Sequence, residues 1–189
     1  MSFADDLKRQ KEEQKEHDGG GGNWFKFSEG DNVLRVLSRP TVFYEAFKIG
    51  ICYHDCGYKG TPKGLAYIYH NGQIKLARLP YTILEDIAKF ESDEDWAFEK
   101  FPMPYELNIK AENAGTKEVK YTMVPKKPKP LEQSVIDEIE SPKYKPTDEI
   151  VEVMKQKTME KHKEDGTWAK YHADQQEDIQ MDDDGFNGM

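Results

Sequence analysis

Hydrophobic and polar positions alternate with a period of two through much of the middle of the chain. Val33–Leu37, Thr41–Ile49 and Leu65–His70 are rich in β-branched and aromatic residues and read as strands. Asn71-Gly72 follows directly, and both residues tolerate positive φ, so a two-residue hairpin turn is expected there. That turn joins Leu65–His70 to Gln73–Arg78 and sets their register. Tyr69 should oppose Ile74, Ile68 should oppose Lys75 and Tyr67 should oppose Leu76. One face then carries Tyr67, Tyr69, Ile74 and Leu76 and reads as core. The other carries Ile68, His70, Gln73 and Lys75 and reads as exposed and partly basic.

The period changes at Pro80, which suits the first turn of a helix. Ile83, Leu84, Ile87 and Phe90 then recur at helical spacing. Alternation returns in Tyr105–Lys110 and Val119–Val124, a second strand pair with one buried and one wet face each. Pro125–Pro130 (PKKPKP) reads as an extended basic connector. Leu131–Glu140 and Thr147–Glu164 are helix candidates, the second capped by Thr147 with Asp148 and Glu149 at its positive end. This order predicts a mainly β fold: a five-stranded OB-fold barrel with one inserted helix, then C-terminal helices. A disordered acidic tail is expected at the end. The expected organisation is a mobile N-terminal arm and glycine linker over 1–22, an OB core over 23–130, a helical extension over 131–172 and the tail over 173–189.

Charge changes the functional picture. The formal net charge is −9, which argues against a nucleic-acid partner. Its distribution reverses that reading: the net is −2 over 1–22, +2 over 23–130, −3 over 131–172 and −6 over 173–189. Residues 23–84 hold eight basic and four acidic side chains. A mildly basic body therefore carries a separate acidic tail, and such blocks mark interaction segments. No apolar run is long enough to cross a bilayer and no signal peptide is visible, so no membrane partner is expected. With only two cysteines, a reducing cytoplasm fits better than a disulfide-rich exterior.

In the basic body, aromatic and cationic residues interleave. Aromatic rings stack on bases of any identity and Lys/Arg track phosphates, a mixture that suits sequence-independent binding of single strands. The candidate contacts are Trp24, Lys26, Arg35, Arg39, Tyr44, Phe47, Lys48, Tyr53, Tyr58, Lys59, Lys63 and Lys75. Lys75 and the Tyr53–Lys63 loop are favoured, because a Gly/Pro loop on a scaffold is where binding residues concentrate. In the tail, Asp182, Asp183, Asp184 and Phe186 form a polyanion with an aromatic anchor, able to mimic a phosphate backbone or to bind a protein partner. Cys52, His54, Cys56 and His70 are a weak zinc alternative, since a structural site needs four well-placed ligands. There is no glycine-rich phosphate loop, nucleophile elbow or paired-histidine helix, so neither an enzyme nor a cofactor is expected.

The stretches NWFKFSEGDNVLRVLSRP, KLARLPYTI, DEDWAFEKFPMPYEL and IKAENAGTKEVKYTMVP, within residues 23–125, resemble viral and phage-type single-stranded DNA-binding proteins with an OB fold. The plan of arm, core and acidic tail is similar to that of the T-even phage type. The resemblance implies strand coating in viral DNA replication, recombination and repair, in the cytoplasm of a host cell. It also implies recruitment of replication and recombination proteins through the tail and self-association on DNA. Two features depart from it. The arm here is net acidic where the T-even type is basic, and there are fewer Cys/His ligands than that type's zinc site uses. Two further readings stand beside it: an OB-type protein–protein interaction module and an RNA-binding OB protein.

Overall fold

A computed structural model describes residues 23–46, 49–53, 60–167 and 169. The local feature that organises it is the Asn71-Gly72 turn, with φ of 49° and 76°. These angles twist in the sense that the flanking strands require. The turn joins β5 (Thr61–His70) to β6 (Gln73–Pro80), and the register is the expected one: His70 opposite Gln73, Tyr69 opposite Ile74, Ile68 opposite Lys75 and Tyr67 opposite Leu76.

The remaining strands build outward from this hairpin. β2 (Gly30–Val36) and β3 (Thr41–Ala46) both run antiparallel to β5, at Arg35–Val36 and Thr41–Glu45 respectively. The bend between them is bridged to β5: Leu37 N–H donates to the Tyr67 carbonyl at 2.8 Å and Tyr67 N–H donates to Ser38 Oγ at 2.9 Å. β2 and β3 thus act as one bent strand. The first half of β2 leaves β5 and pairs with β7 (Leu107–Glu112), which pairs in turn with β8 (Lys120–Pro125). Two strands of two residues each complete the sheet. β1 (Trp24–Phe25) lies parallel to β6, and β4 (Gly50–Ile51) pairs with β3. The buried Asn32 amide secures the start of β2, donating to the carbonyls of Ser28, Gly30 and Ile109.

The fold is mainly β, but the sheet does not close. The path runs β1-β6-β5-β2-β7-β8, and among the described residues nothing pairs β8 with β1 or β6. In place of five strands there are eight, because the first strand is bent in two and β1 and β4 are added. The helix α1 (Tyr81–Phe90) packs on β5, β6 and β8 and lies across the opening. Its Ile83 and Ile87 join Leu34, Val36, Ala66, Ile68, Ala77, Leu79, Leu107 and Ile109 in the main core. Met103, Tyr105 and Phe98 close that core, and the Tyr105 hydroxyl donates to the Trp96 carbonyl.

Two helices follow, α2 (Gln133–Ile139) and α3 (Thr147–Asp165). They cover the back of the sheet. Val135, Ile139, Tyr144 and Ile150 pack on Leu37, Tyr67, Tyr69, Ile74 and Leu76. Val151 and Met154 pack on Phe43, Ile51 and Leu65. This corrects the expectation of one exposed hairpin face. Ile68 is wholly buried, since its side points into the main core while the Tyr67 side is covered by the C-terminal helices. Thr147 does not cap α3 either. The cap position is Pro146, and the buried Thr147 Oγ1 sits 2.6 Å from Thr41 Oγ1, tying helix to sheet. No helix among the described residues is long and apolar enough to cross a membrane.

Two stability predictions follow from this packing. A Cβ on Gly64 would lie 2.5 Å from Leu84 Cδ2 and 3.0 Å from Pro40 Cβ. Gly64→Ala should therefore cost about 1–3 kcal/mol by overpacking, read as a thermal midpoint lowered by several degrees; an unchanged midpoint would show that α1 yields freely. Burial pushes the Tyr105 hydroxyl from 10.0 up to about 12, so folding favours its neutral form. That contribution is complete below pH 10 and is lost as pH rises toward 12. Denaturant midpoints of wild type should fall more steeply over this window than those of Tyr105→Phe, and parallel curves would refute the assignment.

Candidate nucleic-acid interface

The candidate residues divide by where the strands put them. Arg35 lies on β2 between Leu34 and Val36, which enter the main core, so alternation turns it to the opposite side, beside Tyr69. It is only 3% exposed. Burial lowers its pKa, the carboxylate of Glu106 opposes that shift, and its buried Nε has no hydrogen-bond partner. Trp24 is half-buried against Phe43 and Leu65, with the Arg78 guanidinium 5.2 Å from its ring centroid. Lys63 belongs to β5 rather than to a loop, because pairing with β3 carries β5 back through Pro62 to Thr61. Its ammonium is paired with Glu45, which also binds Arg78 at 2.9 Å. Tyr53 is held from α3: its hydroxyl lies 3.0 Å from Nδ1 of the buried His162.

Four further candidates are exposed or half-buried. Lys26 and Arg39 are exposed, Lys75 is half-buried with no ion-pair partner among the described residues, and Tyr44 is 52% exposed. Phe47, Lys48, Tyr58 and Lys59 lie outside the described residues, as do His54, Cys56 and the tail residues Asp182, Asp183, Asp184 and Phe186. Of the zinc alternative, Cys52 is buried and His70 is engaged on both ring nitrogens. The Val33 carbonyl can only accept, so Nδ1 carries the proton at 2.8 Å and Nε2 accepts from the Asn71 amide at 3.1 Å. Among the described residues no three His, Cys, Asp or Glu side chains converge on a metal position.

The surface around Tyr44 has a clear construction. Val42 and Tyr44 alternate to the same side of β3, opposite Gly64 and Pro62. Gly64 lacks a side chain, which lets Leu84 of α1 approach and brings the start of α1 alongside. Tyr81, the first residue of α1, is 46% exposed and Val42 is 56% exposed. The Tyr81 pKa is raised, first by a hydrogen bond to the Glu85 carboxylate and also by the nearby Tyr44. Two tyrosines thirty-seven positions apart thus share one surface. Segment 54–59 leaves from Tyr53 and rejoins at Gly60, whose own Cβ position lies 3.0 Å from Tyr44 Cβ.

A second feature lies behind the bend. Ser38–Thr41, Tyr67, Ile139 and Tyr144–Asp148 border a groove of about 460 Å³. Its rings are already engaged. Tyr67 and Tyr144 meet edge to face at 5.3 Å, Lys143 Nζ sits 5.2 Å from the Tyr144 centroid, and the Tyr144 hydroxyl donates to Glu138 at 2.6 Å. Burial, then that bond, pushes the Tyr144 phenol up to about 12. The groove offers cations at its rim and no free ring face, whereas Tyr44 and Tyr81 offer ring surface.

No protein-family model, curated protein or solved structure matches the chain. The functional reading therefore rests on the residues themselves. Tyr81 carries a signal that pattern reading could have used: it falls off the Ile83–Leu84–Ile87 stripe of a helix whose start Pro80 announces. Its meeting with Tyr44 depends on Gly64 and has no local signature.

Proposed function

We propose that this chain is an OB-type protein that coats single-stranded DNA without sequence preference. The observation that carries the reading is the pair of exposed tyrosines, Tyr44 and Tyr81, on one surface of the sheet and helix built from residues 23–130, a stretch of net charge +2. Aromatic faces accept any base, so two neighbouring rings suit a strand read without sequence. The strand order supports the OB part. A bent first strand, β2 with β3, is followed by β5 and β6, then by a helix, then by the β7–β8 hairpin returning to β2. This order supports reading the sheet as a partly open Greek-key barrel with a helix after its third strand.

OB proteins commonly bind along their second and third strands and the adjoining loops. Here the back of β5 and β6 is covered by α2 and α3, which shifts the site to the Tyr44 end of β3. On this reading the protein has no catalytic residues. The acidic segment with Asp182–Asp184 and Phe186 serves as the contact for replication and recombination partners.

Titration of labelled oligo-dT followed by anisotropy tests the proposal. Wild type should bind at micromolar affinity or tighter in low salt and weaken as salt rises. Tyr44→Ala and Tyr81→Ala should each weaken binding about 5- to 150-fold, the equivalent of losing one stacked base, with the salt dependence kept. Absence of binding at low salt, preference for duplex, or full affinity in both variants would overturn it. Stronger competition by RNA than by DNA of the same sequence would move the assignment to RNA.

A further inference from the structure

We infer that the connector Pro125–Pro130 is a fixed phosphate-contacting rail, in which Lys126, Lys127 and Lys129 hold the backbone of the strand whose bases stack on Tyr44 and Tyr81. The inference rests on the single-strand reading above and names a part of the site outside the residues already considered. The connector is held in place by the sheet. Beyond the last β7–β8 pair, Leu107 with Pro125, Lys126 N–H donates to the Glu106 carbonyl at 2.8 Å and Lys129 N–H to the Pro104 carbonyl at 3.1 Å. Pro128 and Pro130 bias Lys127 and Lys129 toward extended backbone, so the segment is stiff as well as anchored. At about 3.1 Å per residue, Lys126 and Lys129 stand roughly 9 Å apart. Rigid spacing of this kind lowers the ordering cost of meeting successive phosphates.

Among the described residues the three lysines keep their ammonium groups free of carboxylate partners. Lys126, Lys127 and Lys129 are all exposed, and none has an ion pair or side-chain hydrogen bond among the described residues. By contrast Lys63, Lys89, Lys110, Lys143 and Lys155 each face a carboxylate. The nearby Glu106 is half-buried and faces Arg35 electrostatically. The rail also connects to the proposed stacking surface. Residues 103–104 lie between it and the end of β2, since Met103 N–H donates to the Val36 carbonyl at 2.9 Å. Three residues after Val36 comes the exposed Arg39, in the bend that leads to Val42 and Tyr44. On this inference a strand leaving the tyrosines runs past Arg39 to the rail.

The test uses the full chain and oligo-dT, measuring affinity across a salt series for wild type, the triple variant K126Q/K127Q/K129Q and the control K157Q/K161Q, whose lysines are exposed on α3. For single strands the log–log slope changes by about 0.7 per phosphate contact, so the triple variant should be shallower by about 2, with an unchanged melting curve and the same loss on every base sequence. The control should keep the wild-type slope. Salt-dependent wild-type binding with an undiminished slope in the triple variant would overturn the rail and leave the single-strand reading standing. Equal flattening in the control would reduce the effect to total charge and also overturn the rail. If wild type fails to bind at all, the parent reading falls and takes the rail with it.

Discussion

Positive φ at Asn71 and Gly72 leaves the chain one way to turn, and the strand period of two converts that turn into a complete assignment of sides. Once Tyr69 faces Ile74, Ala66, Ile68, Ala77 and Leu79 must lie together, and Tyr67, Ile74 and Leu76 must lie on the reverse. A slip of one residue would exchange the two sets. Both sets are apolar, so the hairpin needs cover on both sides. One side is met by α1 with β2 and β7, the other by α2 and α3. The helices at the end of the chain are therefore part of the sheet's stability, each fully buried side chain contributing about 1.5–3 kcal/mol of transfer free energy.

Tyr67 is where these requirements meet. Its amide and carbonyl hold the bend after β2, its hydroxyl donates to the Lys145 carbonyl ahead of α3, and its ring packs against Tyr144. The bend it holds turns β3 so that Val42 and Tyr44 fall beyond the edge of the α1-covered core. The exposed tyrosine surface thus follows from the same register that buries Tyr67. With the back of β5 and β6 occupied, the open end of the sheet keeps the accessible ring surface.

Much of this was legible in the sequence, and the exceptions have physical causes. The hairpin register, α1 and the β7–β8 pair follow from local patterns, because turn chemistry and periodicity are local properties. Burial of Ile68 does not, since alternation tells which residues share a side and not what packs against it. Lys63 reads as a loop residue because Pro62 and Gly64 are poor strand formers, yet pairing with β3 overrides that preference. Arg35 reads as a surface cation, although its neighbours in space come from Glu106 and Tyr69, far along the chain. Thr147 reads as a cap, but Thr41, more than a hundred residues earlier, takes its hydroxyl. Each of these misreadings is a non-local contact replacing a local preference.

On the proposed reading, the same distinction governs how a chain of net charge −9 attracts a polyanion. At physiological ionic strength exposed charges act over about 8 Å, so a phosphate responds to the side chains beside it rather than to the sum over the molecule. Several cations are already offset by a carboxylate: Lys63 and Arg78 share Glu45, Lys89 has Asp86 and Lys155 has Glu152. Residues 125–130 hold three lysines and no acid, anchored by backbone bonds that leave the ammonium groups to solvent. Proline contributes twice in this segment, by denying the chain a helix that would bring acidic neighbours onto the same face and by spacing the charges along an extended line. Attraction for a phosphate backbone is then a property of where the paired and unpaired cations fall, and the connector is where unpaired ones are densest among the described residues.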